Sequence, residues 1–183
     1  MRRFLIPFLL FAAAGQAAAS DGLLDLEGDA STGKILLRFD SLPLELLYVA
    51  ALESGAGSND LGLDRGQLSR TRLVRFERHG NKILLVEPNL AFRAGSDNPN
   101  ERRAVEQAFA QSVLAGFEIE DAADASSTID LAPFLVSDVA QVADRIAALE
   151  QGKFSVDPER SAVDADAIRN FPRNTLIPAV VTL

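Results

Sequence analysis

Alternating apolar and polar residues predict β-strands in the first part of the chain. Lys34–Asp40 is a strand candidate because its apolar residues share one face, at Ile35, Leu37 and Phe39. Leu44–Leu52 is an almost continuous apolar run, and its length suits a buried strand, with a short helix as the alternative. Ser54–Asp60 follows as a predicted loop.

A β-hairpin is predicted over Arg72–Glu87. The apolar runs Leu73–Phe76 and Ile83–Val86 flank Gly80 and Asn81, and both of these residues tolerate the positive φ that a tight hairpin turn needs.

Apolar stripes at helical spacing predict two amphipathic helices. The first has Asn98 as its N-cap and Gly116 as its stop, and its stripe is Val105, Ala108, Phe109, Ser112 and Val113. The second begins at Ser137-Asp138 and ends at Gly152, and its stripe is Val139, Val142, Ile146 and Leu149. Both stripes are interpreted as faces that pack on the core rather than as cofactor contacts.

Three more strands complete the predicted fold: Phe117–Glu120, Ile129–Val136 and Thr175–Leu183. Strands and helices do not alternate regularly, which favours an α+β domain with a mainly antiparallel sheet over a doubly wound one. Residues 34–183 are therefore predicted to form one α+β domain, and residues 20–33, rich in Gly, Asp and Ser, a lead-in segment.

The N-terminus has the features of a cleavable signal peptide over residues 1–19. Arg2 and Arg3 precede the apolar run Phe4–Ala14, and Ala17-Ala18-Ala19 offers the small residues that a signal peptidase recognises. The alternative, a membrane anchor, is disfavoured because the run is too short to span roughly 30 Å of hydrocarbon. We expect an exported protein, periplasmic or extracellular, that begins at Ser20 and keeps no stable membrane anchor.

Composition narrows the classes of partner. The net charge of −8 makes nucleic acid an unfavourable partner, because phosphate repels an acidic chain. Cysteine is absent, so no disulfide can stabilise the fold although an exported protein could form one.

Candidate chemistry is sparse. Zinc sites usually include His or Cys, and His79 beside the predicted hairpin turn is the one such residue, so it is interpreted as a solvated turn residue. The acids Asp121, Asp124 and Asp130 could hold a hard cation such as calcium, but they lack the regular loop spacing that calcium sites show. A solvated acidic loop is the preferred interpretation, and no catalytic, cofactor-binding or metal-binding residue is assigned.

Arginines beside acids are interpreted as structural. In Leu63–Leu68 we expect Asp64 to accept backbone N–H groups and Arg65 to pair with a carboxylate, although a ligand-gripping arginine is the alternative. Arg160 after Asp157-Pro158, and Arg93, are expected to be at least partly buried in similar ion pairs.

An ordered set of short motifs resembles the N-terminal domain of unknown function of large exported bacterial zinc-dependent metallopeptidases. The motifs are Leu63-Asp64-Arg65-Gly66, Val74 to Lys82, Phe92-Arg93-Ala94, Ala104-Val105 with Phe109, Gly152 with Phe154, Arg160-Ser161, and Phe171-Pro172 with Asn174-Thr175. The resemblance covers roughly residues 33–183. It implies a catalytic domain with a His-Glu-x-x-His motif, and its zinc, further along the polypeptide, so no zinc ligand or general base is carried over to this chain.

The expected role is thus a non-catalytic accessory domain that packs against a downstream catalytic domain. The apolar strand pattern that runs to Leu183 is interpreted as the end of a fragment, with an exposed sheet edge that could self-associate. The alternative is a free-standing exported module that binds a protein or a cell-envelope component.

Overall fold

A computed structural model describes residues 3–12 (as backbone), 22–55, 62–122 and 126–183. The described parts are mostly antiparallel β-sheet with few helices, which confirms the predicted α+β class. The strands are β1 (Arg3–Ala12), β2 (Asp25–Asp29), β3 (Lys34–Phe39), β4 (Leu44–Ala50), β5 (Arg72–His79), β6 (Lys82–Glu87), β7 (Ser112–Glu118), β8 (Ser127–Asp130), β9 (Ala162–Val163), β10 (Arg169–Phe171) and β11 (Asn174–Thr182). The helices are α1 (Pro99–Ala108), α2 (Ala132–Leu135) and α3 (Val142–Ala148), with 3-10 turns at Pro158–Arg160 and Ala165–Ala167.

The described strands form two sheets. The large sheet runs in the order β10-β11-β1-β4-β5-β6-β7, and β9 also pairs with β11. The small sheet has the order β2-β3-β8. Strand β1 lies inside the large sheet, antiparallel to both of its neighbours, β4 and β11.

One hydrophobic core joins the two sheets. Ile35 and Ile129 come from the small sheet, Val74 and Ile177 come from the large one, and all four are fully buried in the same cluster. Aromatic contacts add to the packing, as the rings of Phe39 and Phe76 lie 5.1 Å apart. The small sheet therefore covers the large one as a second layer.

The strand predictions in the first half are confirmed. Lys34–Phe39 is a strand, and Leu44–Ala50 is a strand rather than a short helix, because the run is buried and pairs with neighbours on both sides. The hairpin joins β5 to β6 through Gly80, whose φ is +64°. The predicted loop Ser54–Asp60 lies largely outside the described residues, as positions 56–60 do. Strand β2 lies in the predicted lead-in segment, where no strand was expected.

The first predicted helix is wrong in its second half. Asn98 does cap α1, and its side chain accepts the Asn100 N–H at 3.0 Å, but the helix ends at Ala108. Residues 112–118 are strand β7, which pairs with β6. Gly116 does not stop a helix, because it lies opposite Leu84 in the sheet, where a Cβ would meet the Leu84 side chain at 3.2 Å.

The second predicted helix is shorter than expected. Asp138 accepts the N–H groups of Val142 and Ala143, each at 2.8 Å, so it caps α3 from before its first turn. Val142 and Ile146 are buried as the stripe predicts, whereas Leu149 is exposed. The predicted strand Ile129–Val136 is also wrong beyond Asp130, because α2 occupies residues 132–135.

Strand β11 confirms the predicted C-terminal strand, whereas the exposed edge expected for a chain that begins at Ser20 stays a prediction, because residues 3–12 are present here as β1. β11 pairs with β1 on one side and with β9 and β10 on the other. Strand β1 lies within the segment interpreted as a signal peptide, of which residues 13–19 and the expected new N-terminus, Ser20, lie outside the described residues. Cleavage after residue 19 would remove β1 and change the pairing of β11.

Candidate functional site

The most distinctive exposed feature is an aromatic patch, defined here as Leu90, Phe92, Val105 and Phe109. The Phe92 and Phe109 rings stack with centroids 4.0 Å apart and planes 6° from parallel. Phe92 is 54 % exposed and Phe109 37 %, so the stack faces solvent rather than the core. Exposed apolar clusters of this kind mark surfaces that bind another molecule.

Hydrogen bonds from the Asn89 side chain and from the Phe109 backbone hold the patch in place. Asn89 Oδ1 accepts the N–H groups of Ala91 at 3.0 Å and Phe92 at 3.3 Å, forming a turn that presents Phe92. Phe109 follows the last residue of α1, and its N–H donates to the Val105 carbonyl at 3.0 Å. Helix α1 buries none of its residues, so it carries Val105 and Phe109 at the surface.

A shallow cleft of about 240 Å³ runs beside the stacked rings. Arg93, Arg102 and Glu106 line it together with three residues of the patch, Phe92, Val105 and Phe109. Arg102 donates to the Ser96 carbonyl at 3.2 Å, whereas Arg93 makes no ion pair with any described residue. The cleft therefore has a cationic rim on a chain whose net charge is −8.

A second cleft of about 550 Å³ shares Pro88 and Asn89 with the first. The Glu87 side chain is largely buried there. Its carboxylate forms ion pairs with two arginines, with Oε1 2.7 Å from Arg70 Nη2 and Oε2 3.6 Å from Arg72 Nη1. Both clefts and the patch lie where β6 ends and β7 begins. The surface is suited to a partner that has an apolar centre and acidic groups at its rim. The apolar centre would contact the patch, and the acidic groups would contact the arginines beside it.

The patch was missed by the helical interpretation of the sequence. Val105, Phe109 and Val113 were assigned to a core-facing stripe, yet Val113 is 58 % exposed and lies in β7 rather than in the helix. The signal that could have found the patch is the composition of Pro99–Ala108, where Val105 is the single large apolar residue, too little for a buried helix.

The structure places His79 at the exposed end of β5. Its Nε2 lies 3.3 Å from Glu77 Oε2, and its side chain is 56 % exposed. Across the described ranges, no group of three or more His, Cys, Asp or Glu side chains is arranged to hold a metal ion. His79 and Glu77 alone do not fit the ligand set that zinc requires.

The three acids considered for calcium do not form a common cluster within the described residues. Asp130 Oδ1 accepts the N–H groups of Ile35 at 3.0 Å and Ala132 at 2.9 Å, so this carboxylate joins β3 to the start of α2. Asp121 forms an isolated backbone bridge with Thr128. Asp124 lies outside the described residues.

The arginines interpreted as buried ion-pair partners are exposed. Arg65 and Arg93 make no ion pair with any described residue, so both predictions are wrong for these two positions. Arg160 does pair with Asp157, with Nε and Oδ2 2.5 Å apart, but it is exposed. Pairing lowers the pKa of Asp157, chiefly through the hydrogen bond from Arg160.

The segment around Arg65 forms a turn in which Asp64 accepts a backbone N–H, as predicted, because its carbonyl receives the Gln67 N–H at 3.1 Å. Gly66 has a φ of +81°, and its N–H donates to the Leu52 carbonyl at 2.6 Å. The backbone N–H of Asp64 donates to Gln67 Oε1 at 3.2 Å, so the hydrogen bonds come from its backbone. The turn buries Leu63 in the core, which gives the motif a packing role.

None of the described helices is long and apolar enough to cross a membrane. Residues 66–183 match the family model described as a domain of unknown function, DUF5117. No curated protein sequence and no solved structure matches the chain.

Proposed function

The chain belongs to the DUF5117 family, whose function is unknown, and we propose that it is a non-catalytic accessory domain of an exported zinc-dependent metallopeptidase. The ordered motifs from Leu63-Asp64-Arg65-Gly66 to Asn174-Thr175 support the peptidase context by resemblance. The zinc and its ligands would belong to the catalytic domain and not to this chain.

The aromatic patch is the observation that carries this proposal. Phe92 and Phe109 form a stacked, exposed pair beside a helix that buries no residue, so apolar area is buried when a partner docks on them. Aromatic side chains and arginines are the residue types that dominate binding energy at interfaces, and Arg93 and Arg102 lie beside the rings. The proposed occupant is an apolar, acid-rimmed face of the catalytic domain.

The test is a binding titration between the full chain and the catalytic domain that carries His-Glu-x-x-His. The double change of Phe92→Ala with Phe109→Ala should weaken binding by roughly tenfold or more, since both rings are central to the patch. Phe154→Ala is the matched control, because Phe154 is 48 % exposed and lies outside the patch. Arg93→Glu with Arg102→Glu should slow association and reduce its salt dependence.

Two results would count against the proposal. Absence of binding at high micromolar concentration would remove the catalytic domain as the partner. Equal weakening by Phe154→Ala would show that the patch is not the contact surface. Binding of the patch to a cell-envelope component instead would favour the free-standing module.

Export is tested separately, by N-terminal sequencing of the protein recovered outside the cytoplasm. The order of Arg2-Arg3, the apolar run and Ala17-Ala18-Ala19 leads us to expect Ser20 as the first residue. An exported protein that begins at Met1 would contradict the signal-peptide interpretation.

A further inference from the structure

The position of β1 within the large sheet points to a second binding site: we infer that, once β1 is removed, the slot between β4 and β11 accepts an uncharged apolar strand from a partner protein. This inference rests on the proposed export, because cleavage after residue 19 takes β1 away. The site is distinct from the aromatic patch, which lies where β6 ends and β7 begins.

The structure defines the length and direction of the strand that fits the slot. β1 pairs with β11 from Arg3 opposite Thr182 to Phe11 opposite Asn174. It pairs with β4 over a shorter stretch, from Phe8 opposite Ala50. An occupant must therefore run antiparallel to both strands, with most of its length against β11.

The backbone of β11 presents a row of hydrogen-bonding groups to the slot. The carbonyls of Pro178 and Thr182 accept N–H groups from Asp164 at 2.9 Å and Asp157 at 2.8 Å, both outside the slot. Alternate residues of a strand direct their N–H and C=O groups to opposite sides. The groups facing the slot consequently belong to Thr175, Ile177, Ala179 and Val181.

The same reasoning identifies the slot side of β4. The Ala50 N–H donates to Ser69 Oγ at 2.9 Å, and the Ala50 carbonyl accepts the Ser69 N–H at 2.7 Å. Ala50 thus faces the β5 side of the sheet, and Leu47 and Val49 face the slot. When β1 is absent, β4 and β11 therefore lie one strand's width apart and direct unpaired N–H and C=O groups toward each other.

Leaving the slot open is unfavourable for this particular strand. With β1 in place, Thr175, Ile177 and Ala179 are fully buried, and Val181 is nearly so. Removing β1 turns the slot-facing N–H and C=O groups of β4 and β11 into open sheet edges, which readily pair with another strand. Pro178 lies in β11 with its carbonyl turned toward Asp164, so it does not block the slot.

The chemistry of the occupant follows from the walls. No charged residue occurs in Asn174–Thr182 or in Leu46–Ala50, the parts of β11 and β4 that flank β1. A charged residue inserted there would be desolvated without a partner. β1 itself carries no charge from Phe4 to Ala12, and the partner strand should match this composition over about the same length.

The experiment uses the full chain with a specific protease site placed within residues 13–19. Cutting the folded protein should leave the N-terminal segment bound, and a labelled synthetic peptide of residues 3–12, with a lysine tail for solubility, should exchange into the slot. Methylation of the Ile6 nitrogen should weaken peptide binding by about tenfold, because this N–H faces Ala179 in β11. Methylation at Leu5 is the matched control, because that N–H faces away from β11 and lies beyond the stretch paired with β4.

Each outcome decides for or against the inference. Exchange with the predicted difference between the Ile6 and Leu5 peptides supports a strand-acceptor site. Failure to exchange, with protected amides in β4 and β11 after the segment leaves, would show that the sheet closes on itself and would overturn it. Dimerisation of the cut chain would overturn it in favour of a second copy. Neither result depends on the catalytic-domain titration or on N-terminal sequencing, so the proposed function can fail separately.

Discussion

At the scale of single residues, the Asp29 carboxylate is held by hydrogen bonds from the next turn of the chain. Its Oδ1 accepts the Ser31 hydroxyl at 2.6 Å and the Ser31 N–H at 2.8 Å, and its Oδ2 accepts the Thr32 hydroxyl at 2.8 Å. These bonds, led by the Ser31 hydroxyl, lower the pKa of Asp29 from 3.8 to about 2. We predict that an NMR titration of this carboxyl has its midpoint at about 2.

The sign of the effect on stability follows from this lowered pKa. The ionised form is favoured in the folded state, so its contribution is fully present above 3.8 and is lost as the pH falls toward about 2. Ser31→Ala with Thr32→Ala should raise the midpoint toward the ordinary value, because these two side chains donate the hydroxyl bonds. A midpoint at the ordinary value in the unaltered chain would show that these bonds do not persist in solution.

Substitutions of Arg65 and of Asp157 should differ in their effect on stability. Arg65 makes no ion pair with the described residues, so Arg65→Ala should change the free energy of unfolding by less than about 0.5 kcal/mol. Asp157 accepts the Glu159 N–H at 3.1 Å and pairs with Arg160, so Asp157→Ala should lower the melting temperature measurably. Thermal melting of both variants checks the difference, and a large loss in Arg65→Ala would restore the buried-pair interpretation.

At the scale of elements, α3 depends on an acid that precedes its first turn. Asp138 accepts the N–H groups of Val142 and Ala143 with separate carboxylate oxygens. Asp138→Ala should therefore destabilise the protein by about 1 kcal/mol, as the loss of an N-cap does. Asp138→Asn retains one oxygen acceptor and should cost less; denaturant unfolding compares the two, and equal losses would argue against capping.

Local patterns predicted some elements well and others poorly, for identifiable reasons. The hairpin Arg72–Glu87 was predictable because alternation and the Gly80-Asn81 turn agree. Residues 112–116 were mistaken for the end of a helix because Val113 continues a helical spacing, and only pairing with β6 decides that they join Phe117 and Glu118, predicted as part of a strand, in β7. The aromatic patch was unpredictable for the same reason, since its exposure depends on where α1 ends.

At the scale of the whole molecule, one core connects both sheets, so we predict that they unfold together. Ile35 lies in β3 and is fully buried, and Ile35→Ala should cost about 2–5 kcal/mol through lost packing and the cavity left behind. Tyr48 is the single tyrosine, and the chain has no tryptophan, so the tyrosine band of the near-ultraviolet spectrum reports on β4 in the large sheet.

In Ile35→Ala, the midpoint of the unfolding transition should fall by the same amount whether it is followed by the Tyr48 signal or by the far-ultraviolet signal of the backbone. Leu90→Ala is the control, because Leu90 is 45 % exposed and should leave the transition nearly unchanged. Separate transitions for Tyr48 and for the backbone would mean that the small sheet unfolds on its own.

The sequence by itself determined the α+β class, the β-hairpin, the strands beginning at Lys34 and Leu44 and the strand near the C-terminus, because these features depend on periodicity and turn residues within a few positions. Tertiary structure alone decided that 112–116 belong to a strand, that Phe92 stacks on Phe109, and that residues 3–12 lie between β4 and β11. These outcomes depend on partners far away in the chain, whose hydrogen bonds and buried area outweigh the local preference of each segment.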